Sequence, residues 1–282
     1  MFVCYLLIDK QKGYFIITVS CNLVVKDSCM HILLSNDDGY DSEGLRCLED
    51  TLAEMATVWT VAPDQGQSAM GRAITLQRPL KVVQVAEHHF KVNGTPSDCV
   101  NLAVNGLLPV KPDLVVSGIN QGANMGDDIS YSGTAAAAFE ATILGIPAIA
   151  MSLATKKDFH FMPAARFARS LASSVSASGL PPYVFLNVNV PDTQGADIFD
   201  YVITHQGRSQ YEKTVTATKC PRDLTYYWLG GKGIAFEDIT GSDANAVRSG
   251  LISITPIRTD LTDYDSLDCV RSLSIDGFSL VR

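Results

Sequence analysis

The chain has 282 residues, of which 46% are hydrophobic, and carries a formal net charge of −8 at neutral pH. That length can bury a full core, as one large domain or one domain with an appendage. The acidic balance argues against nucleic acid as a main partner, because that binding rests on neutralising phosphates with Lys and Arg. Phosphate-bearing small molecules stay open, since a bound cation and backbone amides draw anions to an acidic protein. Seven Cys, an odd count with no C-x-x-C pair, give no disulfide framework, so reduced thiols and a cytoplasmic location are expected. The five His make no metal pattern. His88 and His89 are adjacent and read as a surface pair.

Residues 13–25 form an uncharged run between Lys12 and Lys26. It is shorter than the roughly 20 residues a membrane span needs, and no small-x-small cleavage site follows it. The expectation is therefore no membrane association, with Met30 as the natural start and residues 1–29 as an extension. From Met30, strand-like and helix-like stretches alternate. Strands are expected at 31–35, 57–62, 113–117, 147–151 and 183–190. Helices are expected at 42–56, at 96–105 (opened by Pro96-Ser97-Asp98, with Ser97 or Asp98 as cap), 134–144 and 163–178. Residues 74–85 and 90–92 alternate like antiparallel β. This order implies a Rossmann-like, doubly wound, mostly parallel α/β sheet. After about residue 204 the texture changes. Residues 206–232 read as a long hairpin with exposed aromatics, either a partner surface or an ordinary edge packed on its own core. Residues 261–273 have the spacing of an amphipathic helix. The expected division is 1–29 as extension, 30–204 as catalytic core, and 205–282 as hairpin arm and C-terminal segment for oligomerisation.

Three polar stretches each follow a branched apolar run: Asn36-Asp37-Asp38-Gly39, Ala62-Pro63-Asp64 with Ser68 beyond, and Ser117-Gly118-Ile119-Asn120-Gln121-Gly122-Ala123-Asn124. In an open α/β sheet, ligands bind at the carboxyl ends of the strands. Adjacent carboxylates at Asp37 and Asp38 repel in a low-dielectric pocket unless a cation offsets them, although Asp-Asp-Gly alone is also a good turn. Two carboxylates with the neutral oxygens of Ser68 and Asn120 suit Mg²⁺ or Mn²⁺; Zn²⁺ favours His or Cys. Ser132-Gly133-Thr134 opens the helix beginning Ala135-Ala136-Ala137-Ala138, and its free amides offer an anion site or a simple cap. No P-loop, G-x-G-x-x-G or G-x-S-x-G is present.

Together these residues resemble the survival protein E (SurE) family of metal-dependent nucleotidases. Further signatures are Gly94-Thr95-Pro96-Ser97-Asp98-Cys99-Val100, Tyr131-Ser132-Gly133-Thr134, Tyr226-Tyr227-Trp228 and Ser253-Ile254-Thr255-Pro256. The resemblance implies a metal held by Asp37, Asp38, Ser68 and Asn120. It implies hydrolysis of nucleoside 5′- and 3′-monophosphates, with short polyphosphate as a substrate of some members. It also implies exchange of the hairpin and C-terminal helix between subunits of a dimer or tetramer. Cys220-Pro221-Arg222-Asp223 departs from the usual Asp-Pro-Arg-Gly at the hairpin tip. Catalysis is expected from Asp37, Asp38, Asn124 and Ser132, with phosphate held by Asn120, Asn124, Ser132, Gly133 and Thr134. Whether water or one of the two aspartates attacks phosphorus stays open. The alternatives are a catalytically silent nucleotide-binding protein and a phospho-receiver module. The latter needs an Asp where this chain places Ser117-Gly118-Ile119-Asn120.

Overall fold

A computed structural model describes residues 30–282 apart from 197, 199, 212–214, 230–233, 280 and 282. The extension at 1–29 lies outside the described residues. The centre is a nine-stranded sheet built from β1 (His31–Ser35), β2 (Thr57–Pro63), β3 (Val82–Ala86), β4 (His89–Val92), β5 (Leu114–Gln121), β6 (Ala148–Ala154), β7 (Val184–Pro191), β8 (Tyr201–Ile203) and β13 (Ile252–Arg258), in the order β3-β4-β2-β1-β5-β6-β7-β13-β8. Neighbours from β4 to β7 run parallel, and antiparallel pairs join β3 to β4 and β7 to β13. The expected mostly parallel α/β sheet is present.

Alternation along the strands feeds two cores. Ile32 and Leu34 face one side, where Leu45, Leu48 and Leu52 of α1 (Glu43–Leu52) and the alanines of α4 (Met162–Ser178) cover them. Leu33 faces the other, under Cys99 and Val100 of α2 (Pro96–Leu102) and the alanines of α3 (Gly133–Ile143). Sequential side chains of a strand point to opposite faces, so both faces of this sheet must be apolar. The i, i+3, i+7 leucines of α1 fit that demand, and each fully buried one contributes about 1.5–3 kcal/mol. In α3 the small side chains let the helix lie close against the sheet.

Several local expectations need correction. Helix α2 is capped by Thr95, not Ser97 or Asp98, because Pro96 takes the first helical position. Thr95 Oγ1 accepts from Asp98 N at 3.1 Å, and Asp98 Oδ2 accepts from Thr95 N at 2.9 Å. The β pattern at 74–85 contracts to β3, with Pro79 lacking an N–H to give a ladder. His88 turns the β3–β4 hairpin with φ at 64° and lays its ring on Trp59, while His89 opens β4 and meets Glu49, so the two are half-buried and packed on neighbours. The helix at 261–273 shrinks to α6 (Leu267–Arg271), no residue of which is buried. Asp260 and Asp263 accept from the amides of Thr262 and Asp265 at 3.0 and 3.1 Å, offering that backbone a local alternative to helix.

Beyond residue 204, β9 (Ser209–Tyr211) pairs with β12 (Ile234–Phe236), and β10 (Val215–Lys219) pairs with β11 (Thr225–Leu229). The chain then returns through α5 (Asp243–Arg248) to β13, which lies between β7 and β8 inside the main sheet.

Candidate active site

The sheet order reverses between β1 and β5: the chain leaves β1 toward β2, then returns to place β5 on the other side of β1. Such a switch point opens a crevice at the carboxyl ends of its two strands. The Asn36–Gly39 turn follows β1 there, and Asn120 is the penultimate residue of β5. Strand β5 runs through Gln121, farther than the sequence suggested, with a register shift between Ser117 and Asn120. At Gly118 (φ +135°) an added Cβ would lie 2.3 Å from Met151 O, so the shift needs glycine.

The separated loops are tied to one another by backbone bonds. Gln121 N donates to Asp38 Oδ2 at 2.9 Å, which joins the second aspartate to the end of β5. Gln67 N donates to Asp37 O at 2.7 Å, and Gly71 N donates to Tyr131 O at 3.0 Å. Exposed Ser68 is thus bracketed between the Asp37 turn and the residue before Ser132.

Asp37 is buried, and Thr134 Oγ1 donates to its Oδ1. Glycine at 133 permits this approach: a Cβ there would stand 2.6 Å from Asp37 Cβ. The N-terminus of α3 is therefore directed at Asp37. Burial pushes the Asp37 carboxyl up to about 6 against the pull of the Thr134 hydroxyl, and the charge of Asp38 adds to the rise. Burial also raises half-buried Asp38, opposed by the Gln121 amide. Two neighbouring carboxylates that burial makes reluctant to ionise favour a cation between them.

The remaining donors are neutral oxygens. Asn120 Nδ2 is committed to Gly122 O at 2.8 Å, leaving its Oδ1 as the acceptor end. Asn36 Nδ2 holds the turn through Gly39 O at 2.9 Å and Ser42 Oγ at 2.7 Å, while its buried Oδ1 has no partner among the described residues. Among the described residues no three His, Cys, Asp or Glu cluster for metal binding, so the candidate set is two carboxylates plus amide and hydroxyl oxygens. Such a set fits a hard divalent cation.

Ser132 caps α3, its Oγ accepting from Ala135 N at 3.0 Å. Buried Asn124 lies above β6 and β7 and donates from Nδ2 to Ser152 Oγ at 2.8 Å. A cavity of about 310 Å³ opens beside Asp38, lined in part by Tyr40, Asp64, Gln65 and Gln121. A larger one of about 480 Å³ sits at the amino ends of β6 and β7, away from these groups and without a carboxylate.

Sequence reasoning missed Ser152, Asn187, Asn189 and Asp243. Each is fully buried. Asp243 accepts from Gly126 N at 2.9 Å and Gly207 N at 3.0 Å, fastening the loop after Asn124 to the base of the arm. The available signal was Asn187-Val188-Asn189 in a buried strand, where two amides on one face demand partners.

A model of the family described as Survival protein SurE matches residues 32–213. The chain belongs to the SurE family. It is 51% identical over 243 residues to a protein of Geotalea uraniireducens named 5′-nucleotidase SurE, covering 86% of this chain and 98% of that protein. A Myxococcus xanthus protein of the same name is 50% identical over 250 residues, or 88% and 95% of the two chains. The crystal structure of the SurE protein from Aquifex aeolicus superposes with a TM-score of 0.76 at 38% identity, covering 86% of this chain and 98% of that one. The SurE assignment and the α/β architecture therefore agree.

Proposed function

We propose that this SurE-family chain is a divalent-cation-dependent phosphomonoesterase that hydrolyses nucleoside 5′- and 3′-monophosphates to nucleoside and phosphate. Its nucleotidase character is supported by close relatives named 5′-nucleotidase over nearly the whole of their length. What supports this chemistry most directly is the bond from Gln121 N, next to Asn120, to Asp38 Oδ2, together with the bond from Gln67 N, next to Ser68, to Asp37 O, at the switch point between β1 and β5.

Asp37, Asp38, Ser68 and Asn120 would hold Mg²⁺ or Mn²⁺. A bound cation of this type polarises a phosphoryl oxygen and lowers the pKa of water. Thr134 fixes the direction of Asp37 through its hydroxyl. Asp38 is steered by the Gln121 amide. One of these carboxylates then orients the attacking water or attacks phosphorus itself. Asn124, Ser132 and Asn120 supply hydrogen bonds to phosphoryl oxygens as charge redistributes. The amides of Gly133 and Thr134 join them at the N-terminus of α3, where the helix dipole favours negative charge. The cavity beside Asp38 has room for part of the leaving nucleoside, and short polyphosphate is a further substrate to examine.

A receiver-type phosphorylation module is disfavoured, because β5 ends in Ser117-Gly118-Ile119-Asn120-Gln121 without an Asp to accept phosphate. A silent nucleotide binder is separated from an enzyme by one assay. Phosphate release from AMP is expected with Mn²⁺ and should stop in EDTA. Equal release in EDTA would remove the cation from the reading, and no release under either condition would remove the activity.

The reading also includes self-association as a dimer or tetramer through the exposed arm, and a cytoplasmic location. Cys47, Cys99, Cys220 and Cys269 are free thiols, which suits a reducing compartment. Among the described residues no helix is long and apolar enough to cross a membrane.

A further inference from the structure

A polar row crosses the sheet from Asn120 inward, and its buried members beyond Asn120 have no part in the reaction as outlined. Strand register sets Asn120 beside Ser152, Ser152 beside Asn189 and Asn189 beside Ser253. Ser152, Asn187 and Asn189 are each 0% exposed. Buried polar side chains in a sheet of aliphatic residues destabilise it unless they are satisfied, which raises the question of what they hold.

They hold residue 124. Asn189 Oδ1 accepts from Asn124 N at 2.8 Å, and Asn189 Nδ2 donates to Asn124 O at 2.9 Å. One carboxamide thereby makes the paired N–H and C=O exchange that a neighbouring antiparallel strand would make. Asn187 Nδ2 donates to the same carbonyl at 2.9 Å. The side chain is held separately, by Asn124 Nδ2 donating to Ser152 Oγ at 2.8 Å. Backbone and side-chain orientation of Asn124 are thus fixed by different residues.

The side-chain bond has a chemical consequence. A carboxamide has a donor end and an acceptor end, and phosphoryl oxygens take only donors. Nδ2 carries two hydrogens; one goes to Ser152, which keeps the second at the same end of the group. Without that hydroxyl, the Asn124 side chain loses its buried anchor and can leave the rotamer that carries its second N–H. We propose that Ser152 is a positioning residue: backed by the Asn189 and Asn187 clamp, it sets the Asn124 amide with its N–H toward the phosphoryl group. This rests on the assignment of Asn124 to phosphate made above.

The test uses the full chain with Mn²⁺ and AMP, comparing wild type, Ser152→Ala, Asn124→Ala and the double variant. For each, kcat/KM, inhibition by inorganic phosphate, Mn²⁺ affinity and melting temperature are measured. Ser152→Ala should lower kcat/KM roughly tenfold, about the worth of one well-placed hydrogen bond. Phosphate inhibition should weaken in step, with Mn²⁺ affinity unchanged. On top of Asn124→Ala, the same substitution should change kcat/KM by less than about twofold, because a residue acting through another has nothing left to act on. Ser152→Thr, which keeps a hydroxyl, should restore activity where Ser152→Val, of matched volume, does not. That pair carries the comparison if Ser152→Ala fails to fold. An equal loss from Ser152→Ala in both backgrounds would overturn the proposal, as would no loss at all while Asn124→Ala is impaired. If Asn124→Ala leaves turnover and phosphate inhibition untouched, the phosphate assignment fails first and takes the proposal with it.

Discussion

Asp37 combines a helix N-terminus, a donated hydroxyl and a second carboxylate one residue away, in a place that burial makes hostile to charge. Its carboxyl rises from the usual 3.8 to about 6. A raised carboxyl means that ionisation works against the cation-free fold, so stability from this group is lost as pH climbs from the ordinary carboxylate range through about 6. A cation reverses that cost but must expel any proton still bound. Cation affinity should therefore fall about tenfold per pH unit below about 6 and level off above it. Calorimetric titration of Mn²⁺ across that range checks this; a flat affinity would mean that Asp37 is not a ligand. That the Asp37-Asp38 turn and the Asn120 stretch meet was legible because each follows an apolar run that reads as a strand of one parallel sheet. Ser152 and Asn189 were not, since a single Ser or Asn inside a buried strand gives no clue to a partner in sequence-distant Asn124.

Among the elements, α3 does most to shape the site, and it does so through its first residues. Gly133 lets the helix start against the Asp37 side chain, and Thr134 then reaches that carboxylate. Gly133→Ala would force a Cβ to within 2.6 Å of Asp37 Cβ, so the helix end must withdraw and the Thr134 bond must break. The expected cost is about 1–3 kcal/mol of stability, with a larger loss of AMP turnover. Gly106→Ala is the control, since nothing lies within 4 Å of the added atom. Thermal melts and turnover that match between the two variants would contradict this role for α3. The long elements were readable because α1, α4 and the central strands carry strong apolar periods. Short ones misled where local chemistry overrode the period. Pro96 shifted a cap to Thr95, and aspartates at 260 and 263 took over amides that a C-terminal helix would have used. The register shift at Gly118 also extended β5 into residues that read as loop.

At the scale of the whole molecule, the arm contrasts with the sheet. Every residue of β10 and β11 is exposed, with Trp228 at 67% and Leu229 at 86%. A two-stranded ribbon has little stability of its own in water, and aromatics held in the open suit a second copy of the chain. Trp228→Ser should weaken self-association at least about tenfold by sedimentation while leaving the melting of the sheet unchanged. An unaltered association state would move the contact elsewhere. The arm also touches the site side of the molecule, since Asp127 accepts from Ser209 N at 2.9 Å and Asp243 binds both Gly126 and Gly207. The arm and the loop after Asn124 are therefore joined, and the proposed catalysis depends on what lies between β1 and β5. The most direct test is equilibrium binding of Mn²⁺ to the wild-type chain and to Asp38→Asn, read by electron paramagnetic resonance with AMP hydrolysis measured on the same samples. One tight site per chain, weakened at least about a hundredfold by the substitution together with turnover, is the predicted result. Unchanged Mn²⁺ binding and unchanged hydrolysis in Asp38→Asn would contradict it.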